Sequence, residues 1–525
     1  MSLRVDVAIV GSGFAGSILA RVLARQGLRV ALFEAARHPR FALGESSTPL
    51  AALSLERLAR RWELPDLATL AAWGRWRREL PGLGCGLKRG FSFYRHHPER
   101  PFDPAARPGD RLLVAASPSD AIADAHWLRA DVDAHLFARA AAEGVRTFEE
   151  TRVAAIHGTP SGLTLELSGA RAGGDRIECS LAVDATGPAA AVARRLGAQD
   201  GPRLVTRSGL VYSHFRGALP WAGAAGEGPD ETPYPEERAA VHHLLEEGWA
   251  YALRFDDGLM SAGLLLEGGA PAAADPATLW SSVLTRYPTL RLQLGSAVPV
   301  RPLAHVPSLQ RRLDRAAGPH WAALPHTYGF VDPLFSTGLA WSLLGVERLA
   351  EILDAEGPES PAIADGSAFT AYADLLGHEL GQVDALVAGA YAARSRFSLF
   401  VDHSMLYFAL VSFAEAEQRL CEPARPAWKG FLRATEPAWR RTLRTAFARL
   451  RALPADAGGP ALDAHSRWIA RAIAPIDVAG LCRPDGRSYG VDPEALVASA
   501  AKLGLTADGV RAALPRLRGA SEEAS

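Results

Sequence analysis

A glycine-rich turn between two strand-like runs near the start of the chain constrains the fold more than any other feature. Arg4 to Val10 is rich in Val and Ile, and the turn Gly11-Ser12-Gly13-Phe14-Ala15-Gly16 follows at once. A helical run, Ser17 to Gln26, and a second strand-like run, Leu28 to Phe33, complete a βαβ pattern. Glycines here let the backbone approach a pyrophosphate, and an acid after the second strand accepts hydrogen bonds from a ribose. The pattern predicts a dinucleotide site in a Rossmann-like α/β fold, with a purely structural turn as the alternative; its residues are Gly11, Gly13, Phe14, Ala15, Gly16 and Glu34.

Later segments extend the predicted nucleotide site and narrow the cofactor. Glu34 would repel a 2′-phosphate, which disfavours NADP. The segment Gly44-Glu45-Ser46-Ser47-Thr48-Pro49 leads into a helical run, Leu50 to Trp62, where an NAD dehydrogenase would continue its β/α alternation. Leu181 to Gly187 is an apolar strand ending in Asp184-x-x-Gly187, as expected of a second pass beneath the nucleotide. Tyr328 to Gly338 precedes a helical run to about Leu353, and backbone N–H groups at that start suit a flavin edge or an anion.

Size and charge exclude several classes of protein. The chain has 525 residues, enough for two or three cooperating regions. Its 57 basic and 58 acidic residues give a net charge of −1, which disfavours binding to nucleic acid or to an anionic membrane. We expect a cytoplasmic protein, because no secretory signal and no run of 18 apolar residues is evident. The four cysteines lie far apart and predict buried thiols, and no histidine spacing suggests a metal site; they are Cys85, Cys179, Cys421 and Cys482.

Lysine is scarce in this chain. Only three of the 57 basic residues are lysines, namely Lys88, Lys429 and Lys502. An amine can lose a proton and react, whereas a guanidinium effectively cannot, so a retained lysine is a candidate for chemistry that arginine cannot perform. Compositional drift is the alternative, and for Lys429 and Lys502 it is the favoured one.

The order of these motifs resembles that of flavin-dependent halogenases, within the wider para-hydroxybenzoate-hydroxylase-like flavoproteins. The resemblance covers roughly residues 1 to 390, from the glycine turn and Gly44 to Pro49, through Asp184 to Gly187, to Gly329 to Gly338. Lys88 falls in Leu87-Lys88-Arg89-Gly90-Phe91-Ser92-Phe93, which is similar to the family's lysine segment. The chain is closer to the phenol and pyrrole types than to tryptophan halogenases. The resemblance implies that FAD is bound by residues of several segments, among them Glu45, Ser46, Arg129, Asp184, Gly187 and Asp332.

The resemblance also implies a reaction. In the family, reduced FAD from a separate flavin reductase takes up O2 to form a C4a-hydroperoxide, and chloride or bromide attacks it to give hypohalous acid. The halide would be held by the turn of Ser336, Thr337 and Gly338, although plain N-capping also accounts for the first two. Lys88 would then act at a separate aromatic-binding site, either as an ammonium that hydrogen-bonds hypohalous acid or as an amine that forms a haloamine.

Three departures from the family pattern leave alternatives open. The Trp-x-Trp-x-Ile-Pro motif beside the flavin is reduced to Trp249-Ala250-Tyr251-Ala252-Leu253, with Trp249 and Tyr251 on the substrate side. Phe335 stands where tryptophan halogenases have a glutamate, which disfavours free tryptophan and favours a phenolic or pyrrolic substrate, free or on a carrier. Asp332 would replace an absent Gly-Asp pair. An aromatic hydroxylase using the same hydroperoxide is the main alternative, and a non-catalytic flavin-binding partner protein is the second.

These inferences predict a division of the chain. We expect a Rossmann-like FAD-binding domain from residues 1–200, with a substrate-side insertion at about 74–118, and its last part from 301–374. A substrate-side β-sheet would occupy 201–300. A helical region would follow from 375–525, and its aromatic residues favour a core rather than a substrate pocket; they are Phe397, Phe400, Tyr407, Phe408 and Phe413.

Overall fold

A mostly parallel sheet carries the N-terminal βαβ unit. The computed structural model describes residues 3–169, 175–226, 232–454, 456–483 and 486–517. The strands of this first sheet are β1 (Leu3–Val10), β2 (Val30–Phe33), β7 (Arg146–Phe148), β8 (Thr151–Thr159), β9 (Gly162–Gly169), β10 (Arg176–Asp184), β18 (Ala317–Gly318) and β19 (Trp321–Ala323). Their order is β18-β19-β10-β1-β2-β7, with β9 on β10 and β8 on β9. Val10 pairs in parallel with Phe33 and with Asp184, so three strands end together at one edge.

A second, largely antiparallel sheet packs beside the first. Its strands are β4 (Gly90–Arg95), β5 (Arg111–Ala115), β11 (Ser208–Arg216), β12 (Ala240–Leu244), β13 (Gly248–Arg254), β14 (Met260–Glu267), β15 (Val298–Pro299), β16 (Ala304–Val306) and β21 (Ser488–Tyr489). Their order is β15-β11-β14-β13-β12-β4-β5-β21, with β16 on β11. Strands from the first 120 residues therefore share a sheet with strands from 201–300, and β21 joins the C-terminal region to its edge.

Two short ribbons connect these layers. They pair β3 (Cys85–Lys88) with β6 (Asp124–Trp127), and β17 (Arg311–Arg312) with β20 (Gly329–Phe330). In the first ribbon Lys88 lies directly opposite Asp124 in an antiparallel register. Gly86 allows this ribbon to approach β13 closely, because a Cβ at Gly86 would lie 2.2 Å from the carbonyl oxygen of Arg254.

Helices surround both sheets and form most of the C-terminal third. They are α1 (Phe14–Arg25), α2 (Pro49–Arg61), α3 (Pro65–Thr69), α4 (Trp73–Glu79), α5 (Arg129–Ala142), α6 (Ala191–Arg195), α7 (Trp221–Ala225), α8 (Pro276–Arg286), α9 (Pro288–Leu294), α10 (Pro325–Tyr328), α11 (Gly338–Glu356), α12 (Pro361–Asp365), α13 (Thr370–Ala393), α14 (Phe397–Cys421), α15 (Pro437–Ala452), α16 (Gly459–Ile473), α17 (Pro493–Ala498) and α18 (Ala507–Leu517). The predicted α/β fold with a C-terminal helical region is confirmed, and the helical region begins slightly earlier than expected, with α13 at Thr370.

Helix α14 lies in the interior of the protein. It is long and apolar enough to pass a length and composition test for a membrane span, but 72% of its most apolar window is buried against the rest of the chain. Such burial is typical of a core helix of a globular fold.

The prediction for the cysteines is wrong in half of the cases. Cys85 and Cys179 are buried, whereas Cys421 and Cys482 are exposed. Cys421 is the last residue of α14, and Cys482 follows α16 in an irregular segment, so both lie where the chain leaves the packed interior.

Candidate active site

The glycine turn forms a cradle that only glycine fits. Gly11 has φ +105°, and a Cβ there would lie 2.4 Å from the carbonyl oxygen of Ala185. A Cβ at Gly16 would lie 2.1 Å from the carbonyl oxygen of Gly11. The N-terminus of α1 therefore packs directly on the ends of β1 and β10, and its N-cap residue, Gly13, supplies no side-chain cap. A helix N-terminus at the end of a parallel strand suits the pyrophosphate of a dinucleotide.

Glu34 lies at the end of β2, as the βαβ pattern predicts. Its carboxylate accepts hydrogen bonds from the Ser12 hydroxyl (2.9 Å), the Arg40 guanidinium (2.8 Å) and the Ala36 amide (3.0 Å). Burial alone would raise the pKa of Glu34, but Arg40 and these hydrogen bonds hold it below its ordinary value. Glu34 is thus an ionised acceptor, and a carboxylate accepting three bonds retains capacity for a ribose hydroxyl.

Arg129 joins the glycine turn to the segment that contains Glu45. Its Nε and one terminal nitrogen donate to Asp133, and the other donates to the carbonyl oxygens of Leu43 (2.7 Å) and Gly44 (3.2 Å). The guanidinium lies 4.7 Å from the centre of the Phe14 ring. Asp133 also accepts from the Phe14 amide at 3.0 Å, at the start of α1. Arg129 therefore places a fixed positive charge beside the cradle.

Ala15, in the first turn of α1, is half-buried.

The second strand pass meets the cradle at Ala185. Asp184 is fully buried and accepts from the amide and hydroxyl of Thr186 and from the amides of Val192 and Ala193. These bonds hold the start of α6, so contact between Asp184 and a cofactor stays a prediction. Gly187 has φ +59° and donates its amide to the Thr327 hydroxyl at 3.0 Å.

The predicted halide turn lies against the Glu45 segment. Ser336 has φ +52° and donates its hydroxyl to the Ser46 hydroxyl at 3.1 Å. Thr337 is the N-cap residue of α11, but its side chain caps no amide, so the N-capping alternative is not observed for Thr337. A Cβ at Gly338 would lie 2.8 Å from the His326 ring. The turn therefore offers backbone amides at the start of a 19-residue helix.

Lys88 is fully buried and contacts Ser47, the residue that follows Ser46. Its Nζ donates to the carbonyl oxygen of Ser47 at 2.5 Å and lies 4.1 Å from the centre of the Phe91 ring. Because Ser46 binds Ser336 and Ser47 binds Lys88, one short segment connects the lysine with the anion turn. Burial lowers the pKa of Lys88 to about 8, against the opposing charge of Asp124.

Asp124 is a second buried charge that the sequence analysis missed. It is 4% exposed, and its Oδ2 has no hydrogen-bond partner. Burial raises the pKa of Asp124 to about 7, opposed by the nearby Lys88. The signal that the sequence analysis missed was a pair of short strand-like runs. Their antiparallel pairing places Asp124 opposite Lys88. In a lone sequence, Asp124 resembles any carboxylate at the start of a strand.

A cavity of 1240 Å³ reaches Asp124, which lies opposite Lys88 in the β3–β6 ribbon. Its lining runs from exposed residues such as Arg60, Arg61 and Glu422 to deeply buried ones. The buried lining includes Asp124 and three aromatic residues, Phe91, Tyr407 and Phe408. The C-terminal aromatic residues were expected to form core rather than a substrate pocket, and two of them, Tyr407 and Phe408, line this cavity.

The histidines around Lys88 are neutral. His126 and His242 are buried, and burial together with the positive charge of Lys88 lowers the pKa of each to about 3. His242 stacks between Phe91 (5.9 Å) and Phe93 (4.5 Å). Phe335, which stands where tryptophan halogenases have a glutamate, stacks on Tyr407 at 4.8 Å. Lys88 therefore has Asp124, on the neighbouring strand β6, as its carboxylate neighbour.

The residues at the eroded aromatic motif belong to a separate buried network. Trp249 donates its indole N–H to the Tyr391 hydroxyl at 2.9 Å, and Tyr391 donates to Asp332 at 2.9 Å. Asp332 also accepts from Ser208 at 2.7 Å, and burial raises its pKa to about 7. Tyr251 is buried beside Trp249 on β13, with ring centres 6.3 Å apart. A contact between Asp332 and a flavin stays a prediction, because this carboxylate already has internal partners.

Glu45 also has a partner from the second sheet. Its Oε1 lies 2.9 Å from Nε2 of His214, while its Oε2 is buried without a hydrogen-bond partner. The backbone of this segment is fixed as well, since the Trp127 amide donates to the Glu45 carbonyl oxygen at 2.6 Å. Glu45 and Ser46 are thus held between the two sheets, next to Lys88.

Comparisons with known proteins show what the chain is similar to. A family model described as FAD dependent oxidoreductase matches residues 6–331. The chain is 29% identical over 354 residues to monodechloroaminopyrrolnitrin halogenase of Pseudomonas fluorescens (66% of this chain, 60% of the relative). It is 31% identical over 353 residues to tetracycline 7-halogenase of Kitasatospora aureofaciens (64% and 60%). The matched segment thus spans less than two thirds of the length of either relative.

A solved structure extends the likeness in fold to the C-terminal region. The crystal structure of halogenase PltM superposes with a TM-score of 0.82 at 24% identity, covering 92% of this chain and 99% of that chain. The resemblance to flavin-dependent halogenases of the phenol and pyrrole types, drawn from the motifs, is confirmed by these relatives.

Proposed function

The chain belongs to the family of FAD-dependent oxidoreductases, and on that premise we propose that it halogenates an electron-rich aromatic ring, phenolic or pyrrolic, with Lys88 as the catalytic residue. The observation that carries the proposal is the position of Lys88. It is buried beside an aromatic-lined cavity and connected through Ser47 and Ser46 to the turn at Ser336. A hydroxylase needs no such lysine.

The residues of the first sheet fit FAD. The cradle at Gly11 and Gly16 would hold the pyrophosphate, Glu34 would accept from the ribose, and Arg129 would supply positive charge beside them. Bound as FADH2 from a separate flavin reductase, the cofactor supplies the O2 activation that converts chloride or bromide to hypohalous acid. The amides at Thr337 and Gly338 would hold the halide at the start of α11.

Lys88 would act as an ammonium. Its Nζ is held by the Ser47 carbonyl oxygen and by the face of the Phe91 ring, and both contacts favour a positive charge. A hydrogen bond from this ammonium would position hypohalous acid at the cavity and increase the electrophilic character of its halogen.

The cavity supports an aromatic substrate. Phe91, Tyr407 and Phe408 give it flat apolar walls, and its volume of 1240 Å³ exceeds that of one ring, so a multi-ring or carrier-bound substrate also fits. The names of the two curated relatives place their substrates among pyrrolnitrin intermediates and tetracyclines.

A reconstitution assay tests the proposal. The protein is incubated with FAD, NADH, a flavin reductase, chloride or bromide, and a panel that includes phloroglucinol, which is bound with FAD in a second PltM crystal structure. We expect products with a halogen isotope pattern in mass spectra that disappear when halide is omitted. A gain of one oxygen atom instead would favour the hydroxylase, which the incomplete aromatic motif at Trp249 and Tyr251 supports.

The Lys88→Met variant tests the role of the lysine. We expect halogenation to fall by about 100-fold or more, the usual effect of removing a positioned acid, while FAD binding is retained. Lys429→Met is the matched control, because the Lys429 side chain is 52% exposed and lies 3.8 Å from Glu417. Equal rates for Lys88→Met and the control would remove Lys88 from the mechanism.

A further inference from the structure

The carboxylate of Asp124 has no partner within the described chain that satisfies it. Its Oδ2 is buried without a hydrogen bond, and no ion pair within 4.0 Å joins it to a basic residue among the described residues. Lys88 lies opposite Asp124 across the β3–β6 ribbon, but its Nζ donates to Ser47 instead. Asp124 nevertheless lines the cavity, so its carboxyl group lies at a wall that a ligand there would contact.

An unsatisfied buried carboxyl group destabilises a fold. Burying such a group without a hydrogen bond costs about 1–3 kcal/mol or more, and native proteins keep few of them. The raised pKa of Asp124 has this desolvation as its largest cause. A molecule that enters the cavity can supply the partner that offsets this cost.

We propose that Asp124 is the substrate-recognition residue of this cavity, accepting a hydrogen bond from an acidic O–H or N–H group on the aromatic ring. The inference rests on the proposed function, because the bound ring is the one that would be halogenated. The binding of the ring to Asp124 does not itself depend on turnover. The proposed hydrogen bond limits the substrates to rings that carry a free phenolic hydroxyl or pyrrolic N–H.

The walls of the cavity fix the orientation of such a ring. Phe91, Tyr407 and Phe408 would enclose its faces and edges while its polar group points to Asp124. The β-carbons of opposed residues in an antiparallel pair lie about 5 Å apart, so the lysine is a close neighbour of the proposed acceptor. The carbon next to the hydroxyl or N–H then faces the hypohalous acid that Lys88 positions.

The carboxylate would also take part in the proton balance. As the ring carbon attacks the halogen of hypohalous acid, the carbon–halogen bond forms, the halogen–oxygen bond breaks, and the O–H or N–H proton passes to Asp124. The departing hydroxide takes a proton from the Lys88 ammonium and leaves as water. Loss of the proton from the substituted carbon restores the aromatic ring and returns one proton to Lys88, while Asp124 returns its proton to the ring oxygen or nitrogen.

A binding measurement tests the recognition without turnover. Phloroglucinol and its trimethyl ether are titrated into the FAD-loaded protein by calorimetry, as matched probes with and without O–H donors. We expect Asp124→Asn to weaken phloroglucinol binding about tenfold, as loss of a charge-assisted hydrogen bond predicts, and to leave ether binding unchanged. Asp124→Glu should restore part of the preference, and Asp257→Asn is the control, since Asp257 is half exposed, pairs with Arg216 and does not line the cavity.

A kinetic measurement places the same residue in the reaction. With reductase, NADH and bromide, we expect Asp124→Asn to lower kcat/KM for phloroglucinol at least tenfold. A freely diffusing 1,3-diketone, halogenated by released hypohalous acid, should react at the wild-type rate. If the wild-type protein halogenates neither compound, the proposed function fails, while the titration still decides the role of Asp124.

Two results would overturn the proposal. One is phloroglucinol binding by Asp124→Asn within twofold of wild type. The other is an equal loss of affinity for phloroglucinol and for its ether, which would mean that Asp124 only maintains the shape of the cavity. Thermal unfolding of Asp124→Asn and Asp124→Glu detects a folding defect, and the Glu variant keeps the test valid if the Asn variant is unstable.

Discussion

Two buried pairs of opposite charge in this protein are built in different ways. Arg348 on α11 and Glu379 on α13 are both 0% exposed and form a bidentate pair at 2.5 and 2.8 Å. Glu379 also accepts from the Trp341 indole (2.7 Å) and the Phe431 amide (2.6 Å), and Arg348 donates to the Ala427 carbonyl oxygen. The pair of Lys88 and Asp124 is equally buried, but its members do not bind each other and Asp124 Oδ2 is unpartnered.

The difference separates a group that holds the fold from a group that serves a ligand. The Arg348–Glu379 pair attaches the C-terminal helices to α11, and its hydrogen bonds compensate for the loss of water. Lys88 and Asp124 remain desolvated and Asp124 lines a cavity, an arrangement that is typical of functional sites.

The largest expected effect on stability is at the satisfied pair. Glu379→Ala leaves Arg348 buried without its carboxylate and removes the acceptor for Trp341 and Phe431. We expect the free energy of unfolding to fall by about 3–5 kcal/mol, as for other broken buried pairs. Chemical denaturation measures this change, with Glu359→Ala as control because Glu359 pairs with Arg4 at the surface. A loss below about 1 kcal/mol would contradict the structural role.

The next largest effect is the pH dependence of halogenation, which depends on the pair of Lys88 and Asp124. The rate of phenol halogenation by wild type, divided by that of Asp124→Asn, should fall towards one as the pH decreases below 7. The reason is that burial raises the pKa of Asp124 to about 7, so acid protonates the acceptor. The charged groups that act on it are Lys88, Glu415 and Arg419, while Tyr407 faces it and the neighbouring histidines stay neutral. The division cancels the pH dependence of the other steps, and a flat ratio between pH 5 and 7 would contradict the assignment.

The smallest expected effect is on the stability of Lys88→Met. Burial lowers the pKa of Lys88 to about 8, so its charged form is disfavoured in the native state. The resulting loss of stability is complete below pH 8 and disappears above the pKa of this lysine in the unfolded chain. Replacement removes this cost, and Asp124 can become neutral by taking up a proton. We expect the free energy of unfolding at pH 7 to stay within about 1 kcal/mol of wild type or to rise. A decrease in the free energy of unfolding as large as that of Glu379→Ala would show that the Lys88–Asp124 pair stabilises the fold as the Arg348–Glu379 pair does.

The nucleotide-binding half was largely predictable from sequence. Strand β1, helix α1 and strand β2 begin and end within three residues of the predicted runs, because local periodicity and glycine positions determine them. The turn before α11 was found in the same way. The expectation for the aromatic residues of α14 was incomplete, since periodicity does not distinguish a core face from a cavity wall.

The sequence by itself determined the dinucleotide cradle, the family and the identity of Lys88, because each depends on residues that lie close together in the chain or on composition. Only the tertiary structure decided what surrounds that lysine. Asp124 is 36 positions away along the chain, and Tyr407 is more than 300. The register of a two-stranded ribbon sets Asp124 opposite Lys88, and the docking of a C-terminal helix brings Tyr407 to the cavity that Asp124 lines. Both depend on long-range packing and not on local propensity.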